Sequence, residues 1–333
     1  MKAITLISGG LDSTLATRLM QDLGVELVCL NTVSPFCLCN RSSSSGCIYG
    51  ASKVARDLNL KLISIDVSKE ILVIVKNPKF GYGSNMNPCL DCRVLQLEKA
   101  KEAMQNEGAS FIITGEVLGQ RPMSQRLHNL RFIEAQVGLS GLVVRPLSAK
   151  VLAPTIPEKE GWIPREKLLA INGRGRRDQF DLARKFGIND FPCPSGGCLL
   201  TDPEFSKRLR DLMRYGEFGL GDIGLLKIGR HFRLDKKSKL VVGRNQAENE
   251  RLMNFVREDD YIFMPCEKVA GPTSLGRGIF DDKLMRLSCD ITGAYCDANG
   301  DAGTDILCFN KGVLREKRKV PFLEKDKFVN LRI

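Results

Sequence analysis

Short apolar runs alternate with stretches of helical periodicity along the first third of the chain. Residues 3–8 (Ala-Ile-Thr-Leu-Ile-Ser) form an apolar run that ends in two glycines. Leu15, Leu19 and Leu23 then recur at the spacing of one buried helical face. This predicts a strand followed by a helix over 12–23. The alternation continues with a strand over 26–31, a helix over 50–58, a strand over 61–66, a helix over 93–106 and an apolar strand over 110–114. Strands that alternate with helices build a parallel sheet covered on both faces. The first 150 residues are therefore expected to be an α/β domain with a doubly wound parallel sheet. The serine run at 42–45, flanked by cysteines, reads as a loop.

The pattern changes after residue 150. From 154 to 175 the chain turns to Pro, Gly, Lys and Arg around its one tryptophan, Trp162, which predicts a connector over 151–204 carrying the distal cysteines. Past Pro203 a helix is expected over 205–215. Short strands over 225–228, 231–234, 239–242, 261–264 and 284–287, separated by turn residues, predict a second, smaller α+β domain over 205–333. Its tail is basic, with Lys311, Arg315, Lys317, Arg318, Lys319, Lys325, Lys327 and Arg332. No apolar run approaches the ~20 residues that span a bilayer. The first strand leads directly into glycines, unlike a signal peptide. A cytoplasmic protein with no membrane partner is expected.

Composition sharpens this picture in two ways. The 333 residues are 43% hydrophobic and 27% charged, which supports folded domains and excludes a disordered chain. Lys and Arg outnumber Asp and Glu by 50 to 39, and the charge of +11 favours a polyanionic partner such as nucleic acid. Twelve cysteines are too few for a disulfide scaffold of this length. In a reducing compartment they point to metal or sulfur chemistry.

The strongest chemical signal is Ser8-Gly9-Gly10-Leu11-Asp12-Ser13-Thr14, placed between the first strand and its helix. Two glycines let backbone wrap a phosphate, the helix N-terminus supplies N–H donors, and the hydroxyls add more. Asp12 could position Mg²⁺ or orient an amide. The string resembles the PP-loop of ATP pyrophosphatases, which cleave ATP between the α and β phosphates. It lacks the lysine of the other common phosphate loop.

Two further motifs follow. Asn87-Pro88-Cys89-Leu90-Asp91-Cys92-Arg93 is a CxxC pair opening a helix, answered later by Pro192-Cys193-Pro194-Ser195-Gly196-Gly197-Cys198. Three such thiolates can hold an iron–sulfur cluster with one iron open, and four can close a zinc site. Thr114-Gly115-Glu116-Val117-Leu118-Gly119-Gln120 with Ser124-Gln125 follows a strand, where ligands of doubly wound sheets bind. With Val144-Arg145-Pro146-Leu147 after it, residues 3–200 resemble 4-thiouridine synthetases of the ThiI type.

That resemblance implies ATP-dependent thiolation of a tRNA uridine, adenylated at a carbonyl and attacked by sulfur. It implies ATP contacts from Ser8, Gly9, Gly10, Asp12, Ser13, Thr14, Arg93, Gly115 and Gln125. The THUMP region and rhodanese-like domain of standard enzymes are expected to be absent, so another sulfur route is needed. Cys89, Cys92 and Cys198 resemble the ligands of cluster-dependent relatives, implying a 4Fe–4S cluster beside ATP and Mg²⁺, with Cys193 as an alternative ligand. Asp12, Cys92 and Cys198 are the expected catalytic residues, and sulfide or a cysteine desulfurase the donor. The alternatives are a 2-thiouridylase with a cysteine persulfide, small-molecule sulfur insertion or amidation, or a non-catalytic RNA-binding sensor of ATP or redox state. A homodimer would suit a substrate as large as tRNA. Residues 226–233 and 241–249 resemble the NFACT-R module, which implies RNA binding. Cys37, Cys39 and Cys47 could bind a second metal or accept sulfur. Cys29, Cys266, Cys289, Cys296 and Cys308 are expected to be buried small hydrophobes.

Overall fold

The computed structural model describes residues 1–38, 46–190, 197–216, 218–266, 269–297 and 303–333, with 46–48 as backbone only. The chain divides into two compact units, Met1–Thr201 and Asp202–Ile333.

The first unit runs β1 (Lys2–Leu6), α1 (Leu11–Asp22), β2 (Glu26–Val33), α2 (Gly46–Asp57), β3 (Lys61–Asp66), α3 (Ser68–Lys76), α4 (Cys89–Asn106), β4 (Phe111–Thr114), α5 (Leu127–Val137), β5 (Val143–Val144), α6 (Ile156–Lys159) and α7 (Arg177–Lys185). Its sheet has the order β3-β2-β1-β4-β5, and all four pairings are parallel. Alternate residues of each strand face opposite layers. Ala3, Phe111 and Ile113 join Leu11, Leu15 and Met20 in one core, while Ile4 and Ile112 join Leu97, Ala100 and Ile133 in the other. The stretch read as a connector contributes Ile163, Leu168, Ile171 and Ala183 to the first core.

The second unit runs α8 (Pro203–Tyr215), α9 (Leu220–Leu226), β6 (Arg230–Arg233), β7 (Lys239–Val242), α10 (Gln246–Met253), β8 (Tyr261–Pro265), β9 (Ser274–Arg277), α11 (Asp282–Ala294), β10 (Thr304–Asn310) and β11 (Val313–Val320). Six strands form one sheet in the order β11-β10-β8-β9-β7-β6, antiparallel throughout. The capping carboxylate of Asp202 accepts from Phe205 N at 2.8 Å.

Two expected strands are helical. Residues 225–226 close α9 and 227–228 turn away from it, and 284–287 lie within α11. Asp281 caps α11 by accepting from Leu284 N at 2.8 Å, and Leu284, Met285, Ser288, Cys289 and Thr292 bury one helical face. A four-residue apolar run shows no period, so flanking caps decide it. The basic tail holds a hairpin. Asn310 pairs with Val313 across a two-residue loop, where Lys311 (φ 52°) and Gly312 (φ 73°) supply the positive φ angles of a tight turn. Cys29, Cys289, Cys296 and Cys308 are buried as expected, whereas Cys266 is half-buried. Among the described residues no helix is long and apolar enough to cross a membrane.

Candidate nucleotide and thiol site

β1 and β4 are neighbours whose crossovers run to opposite sides, so the turns at their carboxyl ends border the crevice of the sheet. Gly9 sits at the first turn with φ 73°, and a Cβ there would fall 2.4 Å from the backbone carbonyl carbon of Gly50. Ser13 Oγ and Thr14 Oγ1 donate to Gly10 O at 2.9 and 3.0 Å, fixing the entry to α1. Gly115 leaves β4 so close to α1 that a Cβ would lie 2.5 Å from Ser13 N. Only glycine allows this backbone-on-backbone contact.

Asp12 points into a polar network. Its Oδ2 accepts from Gln120 Nε2 at 2.7 Å and stands 3.6 Å from Arg176 Nη2. Gln179 Nε2 donates to Gln120 Oε1 at 3.1 Å. Burial pushes the Asp12 carboxyl up, against the pull of Gln120, Arg176 and Arg121. Asp12 Oδ1, Arg176 Nη1 and Gln179 Oε1 are buried without a hydrogen-bond partner among the described residues. Buried polar atoms are rarely left so. An anion with a divalent cation would satisfy both signs of charge, with Arg176 for the phosphate and Asp12 Oδ1 for the metal.

Arg93 and Gln125 are both engaged with protein partners. The Arg93 guanidinium reaches Glu116 Oε1 through Nε at 3.0 Å and Nη2 at 2.6 Å. Arg145 Nε binds Glu116 Oε2 at 3.0 Å, and its Nη1 continues to Glu134. Burial would raise the Glu116 carboxyl, but Arg93 and Arg145 outweigh it and hold it down at about 2. This network pins the Gly115 turn to the start of α4. Gln125 Oε1 accepts from Arg121 N at 3.1 Å, and its carbonyl accepts from Gly119 N at 2.7 Å, which closes the loop after β4.

The thiols gather beside this network. Cys89 and Cys92 occupy the first turn of α4, where Asp91 accepts from Lys79 N at 2.8 Å and Phe80 N at 3.2 Å. Cys198 forms an isolated antiparallel bridge with Cys37. Leu38 N donates to Gly197 O at 3.0 Å, and Leu199 N donates to Phe36 O at 2.8 Å. These bonds flank the pair, which is therefore the non-hydrogen-bonded kind, whose side chains stand close. Met86 N donates to Leu200 O at 3.0 Å, tying Cys198 to the approach to α4. Cys198 feels both Cys89 and Cys37, and Cys92 feels Cys198 and Cys89. Burial pushes the Cys92 thiol up to about 12 and the Cys198 thiol up to about 11.

Soft thiolate donors suit iron–sulfur or zinc chemistry, and a bound metal deprotonates its thiols outright. Among the described residues no three His, Cys, Asp or Glu side chains are spaced to hold a single metal ion. Cys39, Cys193 and the side chain of Cys47 lie outside the described residues.

Residues 1–150 match the family model described as thiamine biosynthesis protein (ThiI). Residues 229–330 match the NFACT protein RNA binding domain. A probable tRNA sulfurtransferase of Methanosarcina mazei is 28% identical over 206 residues, 61% of this chain and 43% of its own. A probable tRNA sulfurtransferase of Lysinibacillus sphaericus is 31% identical over 146 residues, covering 44% of this chain and 34% of its own. This chain thus spans less than half the length of these curated relatives. A solved 4-thiouridine synthetase–RNA complex with bound ATP aligns at 21% identity and a TM-score of 0.37, covering 68% of this chain and 52% of that one.

The first unit sets Ser8, Gly9, Gly10, Asp12, Ser13 and Thr14 at the turn from β1 into α1 with Gly115 packed against it, and Cys89 and Cys92 on the first turn of α4 within electrostatic reach of Cys198. Sequence reasoning missed Arg176 and Gln179 at the start of α7, for which the run Arg174-Gly175-Arg176-Arg177 was the available signal. The bridge of Cys37 to Cys198 was likewise missed, and Cys39 and the side chain of Cys47, the expected partners of Cys37, lie outside the described residues. In the second unit His231 is structural: it is buried, and Nε2 lies 2.8 Å from Ile228 O.

Proposed function

We propose that this protein is an ATP-dependent tRNA thiouridine synthetase. The observation that carries the reading is one continuous link: Arg93, next to Cys92, binds Glu116 through Nε at 3.0 Å and Nη2 at 2.6 Å, and the adjoining Gly115 packs against Ser13 N at the phosphate-binding turn. A phosphate-binding turn and a sulfur site so coupled suit a reaction that needs both.

The uridine carbonyl oxygen attacks the α-phosphorus of ATP, the α–β bridging bond breaks, and pyrophosphate leaves. The turn at Ser8, Gly9 and Gly10, with the first amides and hydroxyls of α1, holds the departing phosphates. Asp12 Oδ1 would hold Mg²⁺, which when bound would offset phosphate charge, and Arg176 offsets charge that grows on the leaving group. A sulfur nucleophile then adds to the activated carbon and AMP departs with the former carbonyl oxygen. Cys89, Cys92 and Cys198 fit a 4Fe–4S cluster by donor chemistry and grouping, and such a cluster, when bound, supplies an iron open to hydrosulfide. Arg93 beside Cys92 holds Glu116 and so keeps the two halves of the site in register. The closeness of Cys37 to Cys198 favours a second reading, in which Cys198 carries a persulfide received from a desulfurase.

The test follows the α-phosphate of labelled ATP with unmodified tRNA and sulfide. AMP formed only when tRNA is present supports the reading, and ADP as the product overturns it.

A further inference from the structure

Two groups stand out among the cations of the second unit. Arg233 and Lys239 share Asp211 at 2.5 and 3.7 Å. Arg257 and Arg277 share Asp222 at 2.7 and 3.3 Å, and Lys317 meets Asp305 at 2.9 Å. Such charges are neutralised where they stand. By contrast, Arg208, Arg230, Lys325 and Arg332 make no ion pair among the described residues, and Arg244 reaches only Glu248, at 3.8 Å.

The second group is scattered in sequence but gathered in space around β6, an edge strand. Arg230 opens β6 and its Nη1 donates to Gly243 O at 3.0 Å, beside Arg244. Arg332 bridges to Phe232, and Ile333 N donates to His231 O at 2.9 Å. Buried Arg208 donates from Nη1 to Leu226 O at 3.1 Å and leaves Nε without a partner. The Tyr295 ring carries the Arg230 guanidinium at 4.7 Å and Lys325 Nζ at 5.4 Å. Burial lowers Arg208 and Arg230, and Arg244 and Arg332 lower both further by repulsion, with Asp202, Glu204 and Glu248 as the opposing carboxylates nearby. Like charges held together without counterions have a cost that a polyanion removes.

We propose that Arg230, Arg244, Lys325 and Arg332, seated on Tyr295 and backed by Arg208, grip the phosphate backbone of RNA. The inference rests on the reading that RNA is the substrate, and names the surface that holds it. Backbone contacts of this kind position the nucleic acid without reading its bases.

The test compares two full-length double variants of equal charge change, Arg244→Gln with Arg332→Gln and Lys311→Gln with Lys317→Gln, by binding of a tRNA transcript across a potassium chloride series. Each lost phosphate contact lowers the salt slope by about 0.7–0.9. The arginine pair should lower the slope by roughly 1.5 and weaken binding at low salt, while the lysine pair, with Lys311 beside Glu258 and Asp259 and Lys317 beside Asp305, should match wild type. Equal losses in the two variants overturn the surface. Wild-type binding to phosphatidylglycerol vesicles but not to tRNA overturns the choice of RNA. Slopes that separate as expected in a protein that makes no AMP support the surface and refute the proposed reaction instead.

Discussion

Replacing Glu116 by Gln tests the link between the thiol helix and the PP-loop. Glu116 is buried between Arg93 and Arg145, which hold its carboxyl at about 2 against an unfolded value of 4.5. That gap, at ~1.4 kcal/mol per pH unit, corresponds to roughly 3–4 kcal/mol, within the range for breaking a buried ion pair. A depressed folded pKa stabilises fully above the unfolded value, so the contribution is complete above pH 4.5 and fades as pH falls towards 2. Trp162 is the one tryptophan and lies 6.3 Å from the Phe111 ring in the first unit, so its emission reports this unit's unfolding. In urea at pH 7, Glu116→Gln should lose roughly 3–4 kcal/mol, seen also as a lower midpoint in a thermal scan. The deficit should narrow between pH 4.5 and 2. A deficit below about 0.5 kcal/mol at neutral pH, the level of an ordinary surface substitution, or one that ignores pH, refutes the reasoning.

Three other outcomes are expected. Asp12→Asn should abolish AMP formation while leaving the urea midpoint unchanged or higher, because it removes a buried charge with an orphaned oxygen; comparing activity with unfolding checks this. Anaerobically purified wild type should contain about four irons per chain, lost in Cys89→Ala, Cys92→Ala and Cys198→Ala and retained in Cys37→Ala, as read by iron and acid-labile sulfide analysis. Metal-free protein treated with oxidised glutathione should join Cys37 to Cys198, each thiol giving up a proton and an electron as the glutathione disulfide is reduced; peptide mapping finds the bond, and Cys37→Ser lacks it.

The first sheet was legible because buried parallel strands are unbroken apolar runs and the Ser-Gly-Gly turn marks a crossover. The second unit was less so. Residues 225–228 and 284–287 are too short to show a period, and the charged alternation of β11 hid a strand inside a basic tail. At the site, Cys89 and Cys92 announce themselves by spacing, but Cys37 meets Cys198 only through a bridge between distant segments. Arg176 and Gln179 belong to no motif, and their role emerges from the polar atoms left unpaired around Asp12. The string alone suggested Arg93 at the nucleotide, and only the folded chain reveals the carboxylate that holds it.

The most direct test of the central claim is mass spectrometry of nucleosides from an unmodified tRNA transcript incubated anaerobically with the full chain, ATP, Mg²⁺ and sulfide. The account predicts 4-thiouridine in proportion to the AMP released, and neither product with Asp12→Ala. AMP release without any thiouridine, or thiouridine formed without ATP, would contradict it.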